Sequence, residues 1–257
     1  MCSRSLWDTS SRGAIVRCTA RLIIVSCSLL WMTIAVRAQG VDVTARIVLQ
    51  HEKRSSDGGS KKTPDASEVV MWLSPLQALG STPAGPTHPP YRLLQKDKQF
   101  TPHLLVVPTG SNVEFPNTDP FFHNVFSLYN GKRFDLGLYE SGTSRSVRFD
   151  REGVSYIFCN IHPEMAAVVL ALSTPFYGIS QANGAVVIHG VPPGSYRLHV
   201  WSEHAKPPDQ REFQRVLRVT GDALNVGDIT MESTASPLNN HKNKFGDEYK
   251  PGSGPQY

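Results

Sequence analysis

Cysteine is scarce in this chain of 257 residues: there are four, and Cys2, Cys18 and Cys27 all lie within the first 27 positions. The same region holds the one long apolar run, LIIVSCSLLWMTIAV, preceded by Arg4, Arg12, Arg17 and Arg21 and leading into Arg37-Ala38. A basic stretch, a short apolar run and small residues at Val36 and Ala38 have the form of an export signal, with cleavage expected after Ala38. Its 15 residues fall short of the roughly 20 that a membrane-spanning helix needs, so no transmembrane segment is expected in the mature chain. Cys27 sits inside the run rather than after it, which argues against lipidation.

Without that leader the chain also lacks net charge. Residues 1–38 carry five of the 26 Lys and Arg and one of the 22 Asp and Glu, leaving 21 of each. The basic excess that nucleic-acid binding requires is therefore absent, and no nucleic-acid partner is expected. One cysteine remains, Cys159, so no internal disulfide can form, and a lone thiol in an oxidising compartment needs burial or a metal. Long helical periodicity is missing as well.

What is present is a series of short runs rich in β-branched and aromatic residues: VDVTARIVL, EVVMWL, HLLVVP, NVEFP, NVFSLY, SVRF, VSYIFC, AAVVLAL, AVVIHGV, SYRLHVW and FQRVLRV. Gly, Pro, Asn and Asp separate most of them, which predicts an all-β protein of sandwich type. HEKRSSDGGSKKTPDAS (51–67) and LGSTPAGPTHPP (79–90) read as connections. Residues 234–257 are too poor in apolar side chains to bury anything, and a disordered tail is expected there.

The stretch FCNIHPEM (158–165) places Cys159, His162 and Met165 within seven positions. A thiolate, two imidazoles and a weak axial thioether form the ligand set of blue-copper electron-transfer sites. The second imidazole must come from another strand, and His123 in FPNTDPFFHNVF is the candidate. Each residue has a plainer reading: Cys159 and Met165 as core fillers, His123 beside Phe121 and Phe122 as a satisfied core histidine, and His162 before Pro163 as a turn residue. All of these would have to hold together in one motif.

With those residues in view, the chain resembles a cupredoxin, and its C-x-x-H-x-x-M loop is most similar to that of the amicyanins. TPHLLVVPTGSNVEFPNTD resembles the strand, Gly turn and Phe-x-Asn strand that precede the first copper histidine, and EGVSYIFC resembles the final strand into the cysteine. The resemblance covers roughly residues 95–172. It implies one copper ion held by His123 and His162 through ring nitrogens, by Cys159 through its thiolate and axially by Met165. It also implies supporting roles for Asn124, which would brace the loop and tune the sulfur by hydrogen bonding, for Asn160, and for Pro163, which stiffens the loop. Asn160 and Glu164 depart from the amicyanin pattern. A thioether beside a thiolate favours copper over zinc.

QANGAVVIHGVPPGSYRLHVW resembles a carboxypeptidase-regulatory-like, transthyretin-type β-sandwich. Pro193-Gly194 suits a type II turn with positive φ at Gly194, after which Tyr196, Leu198 and Val200 should face one side and Arg197, His199 and Trp201 the other. VDVTARIVL and EVVMWLSPL resemble the first two strands of that same sandwich, so the cupredoxin would be inserted in it; the alternative gives residues 41–75 to the cupredoxin.

The expected organisation is a leader (1–38), N-terminal strands and a connection (39–90), a Greek-key cupredoxin sandwich (91–174), a second, transthyretin-like sandwich (175–233) and the tail (234–257). The expected activity is one-electron transfer between a protein donor and a protein acceptor, by an exported, periplasmic monomer that is not an enzyme. A periplasmic copper carrier or store, and a structural sandwich with a vestigial site, are the alternatives. Once the leader is removed no second cysteine remains for a two-copper centre, and His51, His88, His103, His189, His199, His204 and His241 contain no His-x-His pair for a multicopper enzyme. These seven read as surface or packing residues.

Overall fold

The computed structural model describes residues 40–51, 65–78, 90–128, 131–205, 215–236, 238 and 241–249; the leader lies outside the described residues. Regular structure is almost wholly β, and no described helix is long and apolar enough to cross a membrane. The chain opens with β1 (Val41–His51) and β2 (Val70–Pro75). Ten strands follow: β3 (Tyr91–Arg92), β4 (Leu94–Lys96), β5 (Gln99–Thr101), β6 (Leu104–Pro108), β7 (Ser111–Pro116), β8 (His123–Ser127), β9 (Phe134–Tyr139), β10 (Ser144–Phe149), β11 (Gly153–Cys159) and β12 (Ala166–Leu172). It closes with β13 (Tyr177–Ile179), β14 (Ala185–Val191), β15 (Gly194–Trp201), β16 (Arg215–Val219) and β17 (Leu224–Ser233).

Pairing divides these strands into two pairs of sheets. The scaffold pair has orders β14-β1-β17 and β13-β2-β15-β16; the site pair has orders β10-β7-β3 and β6-β12-β11-β8-β9, with a separate β4-β5 hairpin. β1 runs antiparallel to β14 and parallel to β17, and β2 runs antiparallel to β13 and β15. The strands before and after residues 91–172 thus share sheets with one another, and the chain leaves the scaffold after β2 and re-enters it at β13.

Alternation explains the scaffold core. Val43, Ala45, Ile47 and Leu49 of β1 point inward with Tyr196, Leu198 and Val200 of β15, and they pack on Val186, Ile188, Ile229 and Met231. Gly184 is required in the turn before β14: its φ is 80°, and a Cβ there would lie 2.1 Å from the Ile47 carbonyl oxygen. The turn expected at Pro193-Gly194 is different. Positive φ falls at Gly190 (65°) rather than Gly194, so the left-handed residue lies within β14 instead of between the strands.

The inner strands of the five-stranded site sheet are buried on both faces, which is why every residue of β8 is buried and β12 reads as a continuous rather than an alternating apolar run. One face packs on Val113, Phe115, Phe149 and Leu93. The other presents Leu104, Val106, Phe126, Phe158, Val168 and Leu170 to Val70 and Trp201 of the scaffold. Trp201, with His199 stacked on Trp72 at 4.9 Å, therefore lies on the outward face of β15 as the alternation requires, covered by the site sandwich.

The expected disordered tail is corrected over its described part. Leu238 and His241 are buried, His241 stacks on Phe158 with ring centroids 4.1 Å apart, and the Tyr249 hydroxyl donates to the Cys159 carbonyl at 2.8 Å. Histidine and tyrosine each bury a ring while keeping a polar atom bonded, so a segment with few aliphatic residues can still pack.

Candidate metal centre

β8 and β11 are antiparallel neighbours, with Cys159 opposite Val125, so the start of one strand lies beside the end of the other. This brings His123 and Cys159 together across 36 residues of sequence. Beyond Cys159 the chain turns back into β12. The Met165 amide donates to the His162 carbonyl (3.1 Å) and the Cys159 amide to the Met165 carbonyl (3.2 Å), which closes a tight loop that carries His162.

Three donor atoms converge. Cys159 Sγ lies 3.7 Å from His123 Nδ1 and 3.5 Å from His162 Nδ1, and the two Nδ1 atoms are 3.1 Å apart. With bond lengths of about 2.0–2.1 Å for nitrogen and about 2.3 Å for sulfur, a trigonal metal site has edges of about 3.5 and 3.8 Å, close to this triangle. His123 and Cys159 are 0 % exposed and His162 is 7 % exposed. Among the described residues this is the one group of three His, Cys, Asp or Glu side chains that can hold a metal ion.

The electrostatics favour neutral imidazoles. Burial lowers the pKa of both His123 and His162, and for His162 the neighbouring His123 adds to the effect. Burial raises the Cys159 thiol, against which the backbone amides of Asn124, Ile161 and His162 favour the thiolate. A buried thiolate is costly unless a cation faces it, and two lone-pair nitrogens beside it form a site for a soft cation.

Sequence reasoning missed Asp119. Its Oδ2 lies 2.8 Å from His123 Nε2, and it also accepts from the amides of Asp97 (2.6 Å) and Lys98 (3.0 Å) in the β4-β5 turn. Burial opposes its ionisation, but those hydrogen bonds outweigh it and hold the carboxyl below the ordinary carboxylate value. An ionised Asp119 accepts the Nε2 proton, which fixes the His123 tautomer with the Nδ1 lone pair facing Cys159. Asn117 sets this loop: it donates to the Phe121 carbonyl and accepts from the Asp119 amide. Phe121 places its ring against both imidazoles, 5.2 and 5.5 Å between centroids.

The other expected residues are placed as follows. Met165 is fully buried in the same apolar cluster as Cys159. Asn124 braces the loop through its backbone, with its carbonyl accepting from the Asn160 amide; its side chain turns instead to Asp135 at 2.7 Å. Asn160 Oδ1 accepts from the Lys244 amide. Pro163 and Glu164 are exposed, and the Glu164 charge acts on both imidazoles and the thiol. Of the remaining histidines, His103 pairs with Glu203 at 2.5 Å, His189 with Asp42 at 3.0 Å, and His199 and His241 stack on aromatic rings. His204 is exposed, and His88 and the His51 side chain lie outside the described residues.

No family model matches the chain, and no curated protein matches it. Solved structures similar to part of it include a purple cupredoxin from Nitrosopumilus maritimus, at 24% identity over 32% of this chain and 99% of that one, with a TM-score of 0.29. A copper-containing nitrite reductase from Thermus scotoductus SA-01 is 24% identical over 38% of this chain, which spans 25% of the reductase chain, with a TM-score of 0.32. A mutant amicyanin with Cu(I) is 17% identical over 32% of this chain and 82% of its own, with a TM-score of 0.31.

Proposed function

We propose that this chain is a mononuclear copper protein that passes single electrons between protein partners. The observation that carries the reading is the buried convergence of Cys159 Sγ with two imidazole Nδ1 atoms, one held in its tautomer by Asp119. His123, Cys159 and His162 would hold the ion, with Met165 as the weak fourth ligand from the same loop. Copper supplies a one-electron couple at such a site. The protein's own part is to fix the donors so that little rearranges between oxidation states. β8 and β11 hold His123 and Cys159, the closed loop holds His162, and burial keeps water from the thiolate. On this reading the role is carriage of electrons rather than catalysis.

His162, the most exposed of the three ligands, offers the electron a way in or out, beside the exposed Pro163. The scaffold sandwich, read as a carboxypeptidase-regulatory-like module with the site sandwich inserted in it, serves as a support or docking unit. The N-terminal basic and apolar segment supports export to the periplasm, where the lone thiol would need the protection that burial and copper give it.

The test is the visible absorption spectrum of the mature protein after one equivalent of Cu(II), repeated with Cys159→Ser and His162→Ala. An intense thiolate-to-copper band that bleaches on reduction and disappears in Cys159→Ser is expected, and His162→Ala should lose the normal band while keeping the β fold. A colourless protein that binds Cu(I) tightly would replace this reading with copper carriage, and absence of binding would leave a scaffold alone.

A further inference from the structure

The tail reaches the metal-bearing strands at three points. The Tyr249 hydroxyl donates to the Cys159 carbonyl at 2.8 Å, the Lys244 amide donates to Asn160 Oδ1 at 2.9 Å, and Lys244 Nζ lies 2.7 Å from Asp135 Oδ2. Asp135 is also the acceptor for the Asn124 side chain, so the third contact leads to the residue next to His123. His241 reinforces the set: it stacks on Phe158, accepts or donates at Tyr249 Oη (3.1 Å) and bonds the Leu238 carbonyl.

These contacts fall where restraint matters. At Cys159 and Asn160 the chain leaves the β11 ladder, where Cys159 is the last residue paired with β8, the Cys159 amide bonds Met165 and the Asn160 amide bonds Asn124. Opening that corner would move the sulfur away from His123 and release the loop that carries His162. A hydroxyl bonded to the Cys159 carbonyl and an amide bonded to the Asn160 side chain oppose that movement without contacting any donor atom.

We propose that residues 241–249 act as a retaining strap, with Tyr249 as a positioning residue that holds the Cys159–Asn160 corner closed and so slows loss of the bound ion. The strap acts through the backbone of a ligand residue. It rests on the copper reading for the identity of the ion, but the restraint itself belongs to the protein without metal.

The experiment compares the full mature protein with Tyr249→Phe, which keeps the ring and removes the hydroxyl. Amide hydrogen exchange of Cys159, Asn160 and Met165 is followed in the metal-free protein, and Cu(I) release to a chelator in the loaded one. Loss of one net hydrogen bond predicts both to quicken about three- to tenfold. Lys244→Ala, which removes the Asp135 contact alone, should act in the same direction and less. Unchanged exchange in both variants overturns the strap, and so does faster exchange with unchanged release, which would reduce it to a structural tie. If the parent shows no thiolate–copper band, the copper reading fails and exchange alone decides the strap.

Discussion

The two sandwiches of this chain are built from the same kind of strand but keep different things inside. The scaffold core is chiefly aliphatic and aromatic, with Val43, Ile47, Met71, Leu73, Leu198 and Ile229 nearly fully buried, and its buried Thr174 and Ser180 each bond a backbone carbonyl. The site sandwich buries His123, Asp119, Asn117, Gln95 and Asn124 at one end, nearly all of them hydrogen-bonded to one another or to backbone. Gln95 and Tyr139 share a 2.5 Å hydrogen bond there, and the Tyr139 hydroxyl also reaches the Phe115 carbonyl. A buried polar network costs stability unless it is satisfied, so its size at this end of the site sandwich marks where geometry matters more than stability. The difference teaches that the scaffold should tolerate loss of chemistry and the site should tolerate little loss of placement.

The sharpest break of that comparison is a cavity in the scaffold. Leu198→Ala should cost about 2–5 kcal/mol, read by chemical denaturation, while the copper spectrum of the remaining folded protein stays unchanged. A changed spectrum would mean that the scaffold core shapes the site.

Next comes Asp119→Asn, which keeps the side-chain size but turns an N–H toward one of its three donors. Metal affinity should fall about ten- to hundredfold, with a smaller effect on denaturation midpoint than Leu198→Ala. Equal affinity in a competition assay would show that His123 needs no carboxylate to hold its tautomer.

The smallest effect concerns the seam between the sandwiches, where His103 from the site module meets Glu203 from the scaffold. Glu203 raises the His103 pKa above 6.5, while burial opposes, and His103 and Ser236 pull Glu203 below 4.5 against its own burial. A raised histidine stabilises below 6.5 and loses that contribution as pH rises through its folded value. A lowered glutamate stabilises above 4.5 and loses it as pH falls through its folded value. The pair therefore contributes most between those two pH values. With His103 partly exposed, the contribution should stay under about 1 kcal/mol. Thermal melts across pH should show an alkaline decline that His103→Gln removes.

The candidate donors can be named from the sequence because chemistry and spacing coincide: Cys159, His162 and Met165 share one short stretch, and the structure brings Cys159 and His162 to His123. Asp119 was not, since an aspartate in FPNTDPFF looks like any turn residue until the β4-β5 amides and His123 are seen around it. β17 was missed because LNVGDITMES interrupts its alternation with Gly227 and Asp228, yet it is the parallel partner of β1. The strap escaped notice because its anchors are a histidine and a tyrosine rather than an aliphatic run. At Asn124 the backbone, not the side chain, meets the loop, and the side chain bonds Asp135.

The pairing of β1 with β17 has a consequence for how the molecule is made. Val43 completes its pairing only when Ile188 and then Leu224 have been synthesised, whereas β8, β11 and β12, with residues 159–165 between the last two, are complete before either. During synthesis the first strand must wait, its edge unpaired, until β14 and then β17 emerge. Long-range pairings of this kind form slowly and leave sticky edges open in the interval. The ribosome therefore delivers the half that carries His123, Cys159 and His162 whole before the support, begun at β1 and β2, can close, and unpaired edges are open longest in that window.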